Sequence, residues 1–331
     1  MSSDDTGTVD TRGLRLPTAE DVAAARVNIR GRAIRTPLLK LNAEIPGTRI
    51  YLKLENLQPF GSFKIRPALN VLKSMPAEEL RRGVLTASAG NFGQGLAFAA
   101  REIGVPITVV VPETSAAIKT TALADLGATV IRVPFDEWWA TLTRRSFTGT
   151  EGVFVHPVAE SGVVAGNATI GAEIIEDLPN VNAVVVPFGG GGLVSGIGSV
   201  MRRLGRAVRM VAAESAASQP AAAALAKGRP VTVRHMQSFV DGMGSTTVLA
   251  EMWPLVRDNV DEAVCVSFAQ ISDAIRVLAV RHHVIAEAAG AASVAAAMAA
   301  LAGSGDIVCI VSGGNIDAPK LGAILNGHDP F

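Results

Sequence analysis

Charge is scarce in this sequence. Only 18% of its 331 residues are Asp, Glu, Lys or Arg, and the two signs balance at 30 each. Without a basic excess there is little to neutralise a phosphate backbone, so nucleic acid is not an expected partner. Cysteine is rarer still. Cys265 and Cys309 both sit in short apolar runs, where they read as small core residues rather than a disulfide or metal pair. The histidines match no metal spacing. His156 precedes a proline at a strand end, and His282 and His283 lie in a basic helical stretch, so core or surface roles are expected. No apolar run is suited to crossing a bilayer. The nearest, residues 284–302, is dominated by alanine and interrupted by Glu287 and Gly290, so it reads as a buried helix and a membrane is not an expected partner. Residues 1–15 are polar and lack the apolar core of an export signal, which predicts a disordered tail and the reducing cytoplasm.

What is present is a 49% hydrophobic chain in which short β-branched runs alternate with alanine- and leucine-rich stretches. Strands are predicted at 50–54, 84–87, 107–111, 130–133, 153–156, 183–186, 210–213, 264–266 and 307–311. Helices are predicted between them, among others over 64–75, 93–103 and 115–126. The strands are apolar throughout, without period-two alternation, which is the pattern of parallel strands covered on both faces. The expected fold class is therefore α/β with open twisted sheets. Ligands of such sheets bind beyond the carboxyl ends of the strands, which directs attention to the turns there.

Four such turns carry chemistry. In Gly61-Ser62-Phe63-Lys64-Ile65-Arg66, Ser62 is a candidate helix cap. Lys64 then falls in the first helical turn, where the positive end of the helix would lower its pKa and favour a neutral amine able to form a Schiff base; a plain surface lysine is the alternative. In Ser88-Ala89-Gly90-Asn91-Phe92-Gly93, small residues before a helix let backbone N–H groups converge on a carboxylate or phosphate, unless this is an ordinary turn. Gly189-Gly190-Gly191-Gly192-Leu193 follows an apolar strand; four successive glycines lose much entropy on folding, and an anion cradle explains them best. Ser312, in Ser312-Gly313-Gly314-Asn315, sits at the carboxyl end of another strand and is weak evidence alone. A nicotinamide oxidoreductase is a competing reading, because Glu214 ends the strand after the glycines. No start among Gly189, Gly190 and Gly191 satisfies G-x-G-x-x-G, however, and a P-loop ending is missing.

Together, in this order and spacing, the four turns resemble those of the fold-type II pyridoxal-phosphate enzymes, and most nearly the serine/threonine dehydratases (threonine ammonia-lyases), over about residues 38–325. The resemblance implies two mostly parallel sheets with helices on both faces. A small domain at 59–159 would be inserted in a large cofactor-binding domain formed by 16–58 and 160–331. It implies that Lys64 carries pyridoxal 5'-phosphate and, when freed, removes the α-proton of the substrate. Phe63 would pack beside the cofactor and Asn91 would bond its ring hydroxyl. Gly189, Gly190, Gly191, Gly192 and Leu193 would hold its phosphate, and Ser312 would meet its ring nitrogen. Ser88, Ala89, Gly90 and Asn91 would clamp the substrate carboxylate, with Glu287 the acid near the rim; a solvated helix-start acid is the alternative for Glu287.

The implied reaction is α,β-elimination from a β-hydroxy amino acid such as L-threonine or L-serine, giving a 2-oxo acid and ammonia. Alternatives are a lyase or β-replacement enzyme for a bulkier or different β-substituted amino acid, a racemase, or a non-catalytic binder. Racemases resembling this chain have serine at the position of Ala89, and a methyl group cannot take a proton. Phe92 stands where many dehydratases have histidine and Pro67 where glycine is common; both are expected near the substrate and would favour a larger or more apolar side chain. In related enzymes an acid matching Glu214 binds a cation with a second acid at the position of Pro220, which leaves a monovalent or divalent cation on Glu214 an open expectation. A homodimer is the family habit. No C-terminal regulatory domain is expected after Ser312.

Overall fold

The computed structural model describes residues 13–115, 117–204, 207–328 and 330. Residues 1–12 of the expected tail lie outside these. Residues 13–15 are not loose: Arg15 N donates to Ser161 Oγ at 3.1 Å, Ser161 Oγ donates to Gly13 O at 3.2 Å, and Arg15 pairs with Asp21.

Among the described residues, ten strands form two sheets. They are β1 (Leu38–Lys40), β2 (Thr48–Lys53), β3 (Val84–Ala87), β4 (Ile107–Pro112), β5 (Thr129–Val133), β6 (Val153–Phe154), β7 (Ala183–Pro187), β8 (Arg209–Ser215), β9 (Glu262–Val266) and β10 (Gly305–Ile310). The larger sheet has the order β1-β2-β10-β7-β8-β9 and the smaller β5-β4-β3-β6. Every pairing is parallel except that of the short edge strand β1 with β2.

The apolar runs are explained by burial on both faces. In β7, Ala183 and Val185 enter one core while Val184 and Val186 enter another. In β10, Ile307 and Cys309 share the first core and Val308 and Ile310 the second. In β4, Val109 and Val111 face one core of the small sheet and Val110 the other. Alternation is present in space, but both faces are dry, so the sequence shows none. Cys309 is buried as expected. Cys265 is not a core residue: it is exposed on the edge strand β9, and both thiols are free. The alanine-rich stretch folds as the buried helix Ala288–Met298, and no described helix is long and apolar enough to cross a membrane.

The topology gathers the four turns. β10 and β7 are neighbours, so the Ser312 turn and the glycine turn leave one sheet edge side by side. β3 lies between β4 and β6, and its carboxyl end delivers Ser88 to Asn91 from the other sheet.

Candidate active site

The Lys64 turn is stitched to the Ser312 turn. Ser62 forms a bridge with Gly313, and Phe63 N donates to Ser312 O at 3.0 Å. Ser62 is therefore used across the turns and caps no helix. Lys64 itself holds the N-cap position of the helix Ile65–Lys73. Its Nζ lies 4.9 Å from the Phe63 ring centroid and 5.5 Å from that of Phe92, and it donates to Pro157 O at 3.4 Å. Burial pushes the amine down to about 8, and the charge of Glu287 opposes that shift. The direction is the one read from the sequence, but desolvation is the main cause.

Lys64 opens on a cavity of about 230 Å³ that also receives Ser88, Gly90, Asn91, Glu287, Ser312 and the whole glycine turn through Val194. The helix Gly192–Met201 starts inside this turn, so its first N–H groups lack intrahelical acceptors and face the cavity as anion donors. Gly191 has a φ of 91°, which a residue with a Cβ rarely adopts. Gly190 is pressed against Val158, which a Cβ would approach to 2.7 Å. Lys64 and Glu287 are the ionisable side chains among the described lining residues, and neither belongs to the glycine turn. Amine, donor-rich turn and neutral Ser312 hydroxyl around one cavity form a donor set that fits an aldehyde carrying a phosphate.

Asn91 and Glu287, which lie 196 residues apart in sequence, meet at the cavity wall. Asn315 Nδ2 donates to Phe60 O and to Asn91 Oδ1, both at 2.8 Å, and Asn91 Nδ2 donates to Glu287 Oε1 at 2.8 Å. The Phe60 carbonyl can only accept, so it fixes both amide orientations in turn. Glu287 is buried, not a solvated helix-start acid, and burial pushes its carboxyl up to about 7; Asp241 adds to this, while the Asn91 bond, Lys119 and Lys64 oppose it.

Two expectations need correction. Ala89 does not line the cavity; it packs partly buried against the core of the small sheet, leaving Ser88, Gly90 and Asn91 at the wall. Pro67 is remote from the substrate side. It packs against the helix Ser161–Asp177, where a Cβ on Gly166 would come within 2.5 Å of its Cα. Phe92 does reach the cavity, though its ring is buried in the small-sheet core. Glu214, the open candidate for a cation, caps a helix. Its two oxygens accept Ala221 N at 2.7 Å and Ala222 N at 2.9 Å, capping the helix Pro220–Lys227, and burial pushes its carboxyl up to about 7. Among the described residues, no group of three or more His, Cys, Asp or Glu is placed to share a metal.

His156, expected in a core or surface role, is buried and has a task that the sequence did not show. Its Nδ1 accepts Val158 N at 3.1 Å and Ala159 N at 2.9 Å, which shapes the loop whose Pro157 carbonyl receives Lys64 and whose Val158 walls Gly190. Burial, with the charges of Arg145 and Lys64, pushes this imidazole down to about 3, so it stays neutral and Nδ1 stays an acceptor. The one signal in the sequence is a His-Pro pair at a strand end.

Known proteins agree with this geometry. Residues 29–313 match the family model described as pyridoxal-phosphate dependent enzyme. An L-threonine ammonia-lyase of Thermotoga maritima is 41% identical over 93% of this chain and 78% of that protein. A serine racemase of Mus musculus is 34% identical over 94% of this chain and 95% of that protein. The structure of maize serine racemase superposes with a TM-score of 0.86 at 28% identity, covering 95% of this chain and 98% of the other. The chain belongs to the family of pyridoxal-phosphate dependent enzymes.

Proposed function

We propose that this chain is an ammonia-lyase that eliminates water and ammonia from a small β-hydroxy amino acid such as L-threonine or L-serine, leaving a 2-oxo acid. One observation carries the reading: a buried amine held near pH 8 shares a small cavity with a glycine turn of anion donors and with no basic side chain besides itself among the described lining residues. Pyridoxal phosphate, when bound, supplies an electron sink for charge developing at the α-carbon of the substrate. Lys64 would hold its aldehyde, Gly189–Leu193 its phosphate, Asn91 its ring hydroxyl and Ser312 its ring nitrogen, with Phe63 alongside. The first N–H groups of the helix Asn91–Ile103, with Ser88 and Gly90, bind the substrate carboxylate. Lys64 Nζ in its neutral form takes the α-proton. Ser312 offers a neutral hydroxyl where a carboxylate would keep the ring nitrogen protonated, and a weaker sink favours expulsion of a β-group.

The proposal extends to assembly, as a cytoplasmic homodimer without nucleic-acid or membrane partners. It also extends to organisation, with residues 59–159 as an inserted small domain; the support is that β3 to β6, and no other strands, make the second sheet. The purified chain should be yellow, and borohydride should fix the cofactor on Lys64. Ammonia release is to be measured with serine, threonine, phenylserine and diaminopropionate. Release from threonine or serine supports the reading. Inertness toward both with turnover of a bulky substrate would move the substrate assignment, and a colourless chain that takes up no cofactor would end it.

A further inference from the structure

We propose that Asn167 is an additional ligand of the cofactor phosphate, its side-chain amide completing the cradle that the glycine turn builds from backbone N–H groups. This rests on the reading of the cavity as a pyridoxal-phosphate site. Asn167 lies in the helix Ser161–Asp177, in none of the four turns that carry the sequence argument. It is 1% exposed, yet it lines the cavity together with the glycine turn. Its Oδ1 is buried and has no hydrogen-bond partner among the described residues. Its Nδ2 stands 3.6 Å from the point where a Cβ on Gly192 would project. The neighbouring helices touch one turn further on, where a Cβ on Gly196 would come within 2.8 Å of Asn167 Cβ, so the amide is held beside the first turn of the helix Gly192–Met201.

An amide oxygen only accepts, so the orphaned Oδ1 gains nothing from an anion; the group here that can take an anionic partner is Nδ2, which stands toward Gly192. The surroundings name that partner. Amide hydrogens and the positive end of a helix face this corner, so its ligand is an anion. A side-chain NH₂ adds a neutral donor suited to a phosphate oxygen. The acid of the cavity, Glu287, belongs to another element, at the start of the helix Ala288–Met298.

The test compares binding of pyridoxal phosphate and of pyridoxal, which lacks the phosphate, to the full chain by equilibrium dialysis. The ratio of the two affinities is internal to each variant, so a general loss of folded protein cancels. Asn167→Asp puts a carboxylate against the phosphate and should cut the preference for the phosphate ester about tenfold or more, while Asn167→Ala, losing one hydrogen bond to a charged group, should cut it about tenfold. Ser195→Ala is the control. That hydroxyl is also buried without a partner and lies on the helix Gly192–Met201, but it does not line the cavity, so the ratio should stay as in the parent chain. An unchanged ratio in both Asn167 variants overturns the assignment. A parent chain that holds pyridoxal as tightly as its phosphate ester would instead overturn the glycine turn as the phosphate site, and Asn167 with it.

Discussion

The chemistry at the residue scale turns on one amine and its opposing charge. Lys64 is lowered to about 8 by burial and raised by Glu287. Only the neutral amine attacks an aldehyde, so the rate at which the stripped chain captures pyridoxal phosphate should rise with pH through about 8. Glu287→Gln removes a charge that favours the protonated amine and should move this limb to lower pH; stopped-flow absorbance across pH 6 to 10 reads both. Lys64→Ala should show no covalent capture at all. His156 yields a sharper test of position. Its contribution is an acceptor at Nδ1, and an asparagine Oδ1 can occupy nearly the same place. His156→Leu should weaken cofactor binding and turnover by roughly tenfold or more, for two orphaned backbone donors, and His156→Asn should restore most of both. Equal losses in the two variants would mean that imidazole bulk, not the acceptor, matters. The glycines were legible locally, whereas Lys64 and Ser312 were legible only from the four turns taken together. Asn91 with Glu287, and His156 with its loop, were legible in neither way, since their meaning lies in partners that only the fold supplies.

At the element scale, the helix that carries Lys64 is anchored by buried charge. Arg66 donates to Glu55 from Nε and Nη2, both at 2.8 Å, and to Glu173 from Nη1 at 2.7 Å and Nη2 at 2.9 Å. Lys53 Nζ pairs with Glu173 at 2.6 Å and donates to Thr36 O at 2.7 Å. Two cations and two carboxylates thus tie the helices Ile65–Lys73 and Ser161–Asp177 to β2, all of them buried. Their net charge is zero, and that balance is what makes the cluster tolerable. Glu173→Gln leaves the two buried cations with Glu55 and the more distant, half-buried Asp177, 3.8 Å from Lys53, and should destabilise the chain by about 3–5 kcal/mol. Urea denaturation reads this, and a loss under 1 kcal/mol would show that water reaches the cluster. Arg66 was visible in the sequence only as part of a motif. The nine predicted strands, by contrast, were placed within a residue or two, because a run such as 183–186 is too short and too β-branched for anything else, while the short edge strand β1 was missed. Corrections fell where a side chain had two plausible directions, as for Ala89, Pro67 and Cys265.

At the scale of the whole molecule, two carboxyls and one imidazole set the dependence of stability on acidity. Glu214 and Glu287 have ordinary values of 4.5, and burial holds each near 7 in the folded chain. Between those values the folded chain binds more protons than the unfolded one, so unfolding releases them and stability falls as pH rises. The contribution of each group is fully present below about pH 4.5 and gone above about pH 7, a swing of roughly 3 kcal/mol for one group. Lys64 acts in a separate window. Its folded value of about 8 lies below the ordinary 10.5, so the unfolded chain is the better proton binder there and stability rises with pH between the two. The chain should therefore be least stable near pH 7 to 8, with higher urea midpoints at pH 5 and at pH 10. His156, held near 3 against an ordinary 6.5, makes the folded chain the poorer proton binder between those values and offsets one carboxyl there, so Glu287→Gln should flatten the slope from about pH 5 to 6.5 and halve it from about 6.5 to 7, while leaving Glu214 on its helix. A midpoint that climbs steadily from pH 5 to pH 7.5 would mean that both carboxyls are charged in the folded chain, and the cavity wall beside Lys64 would then be far wetter than its packing implies.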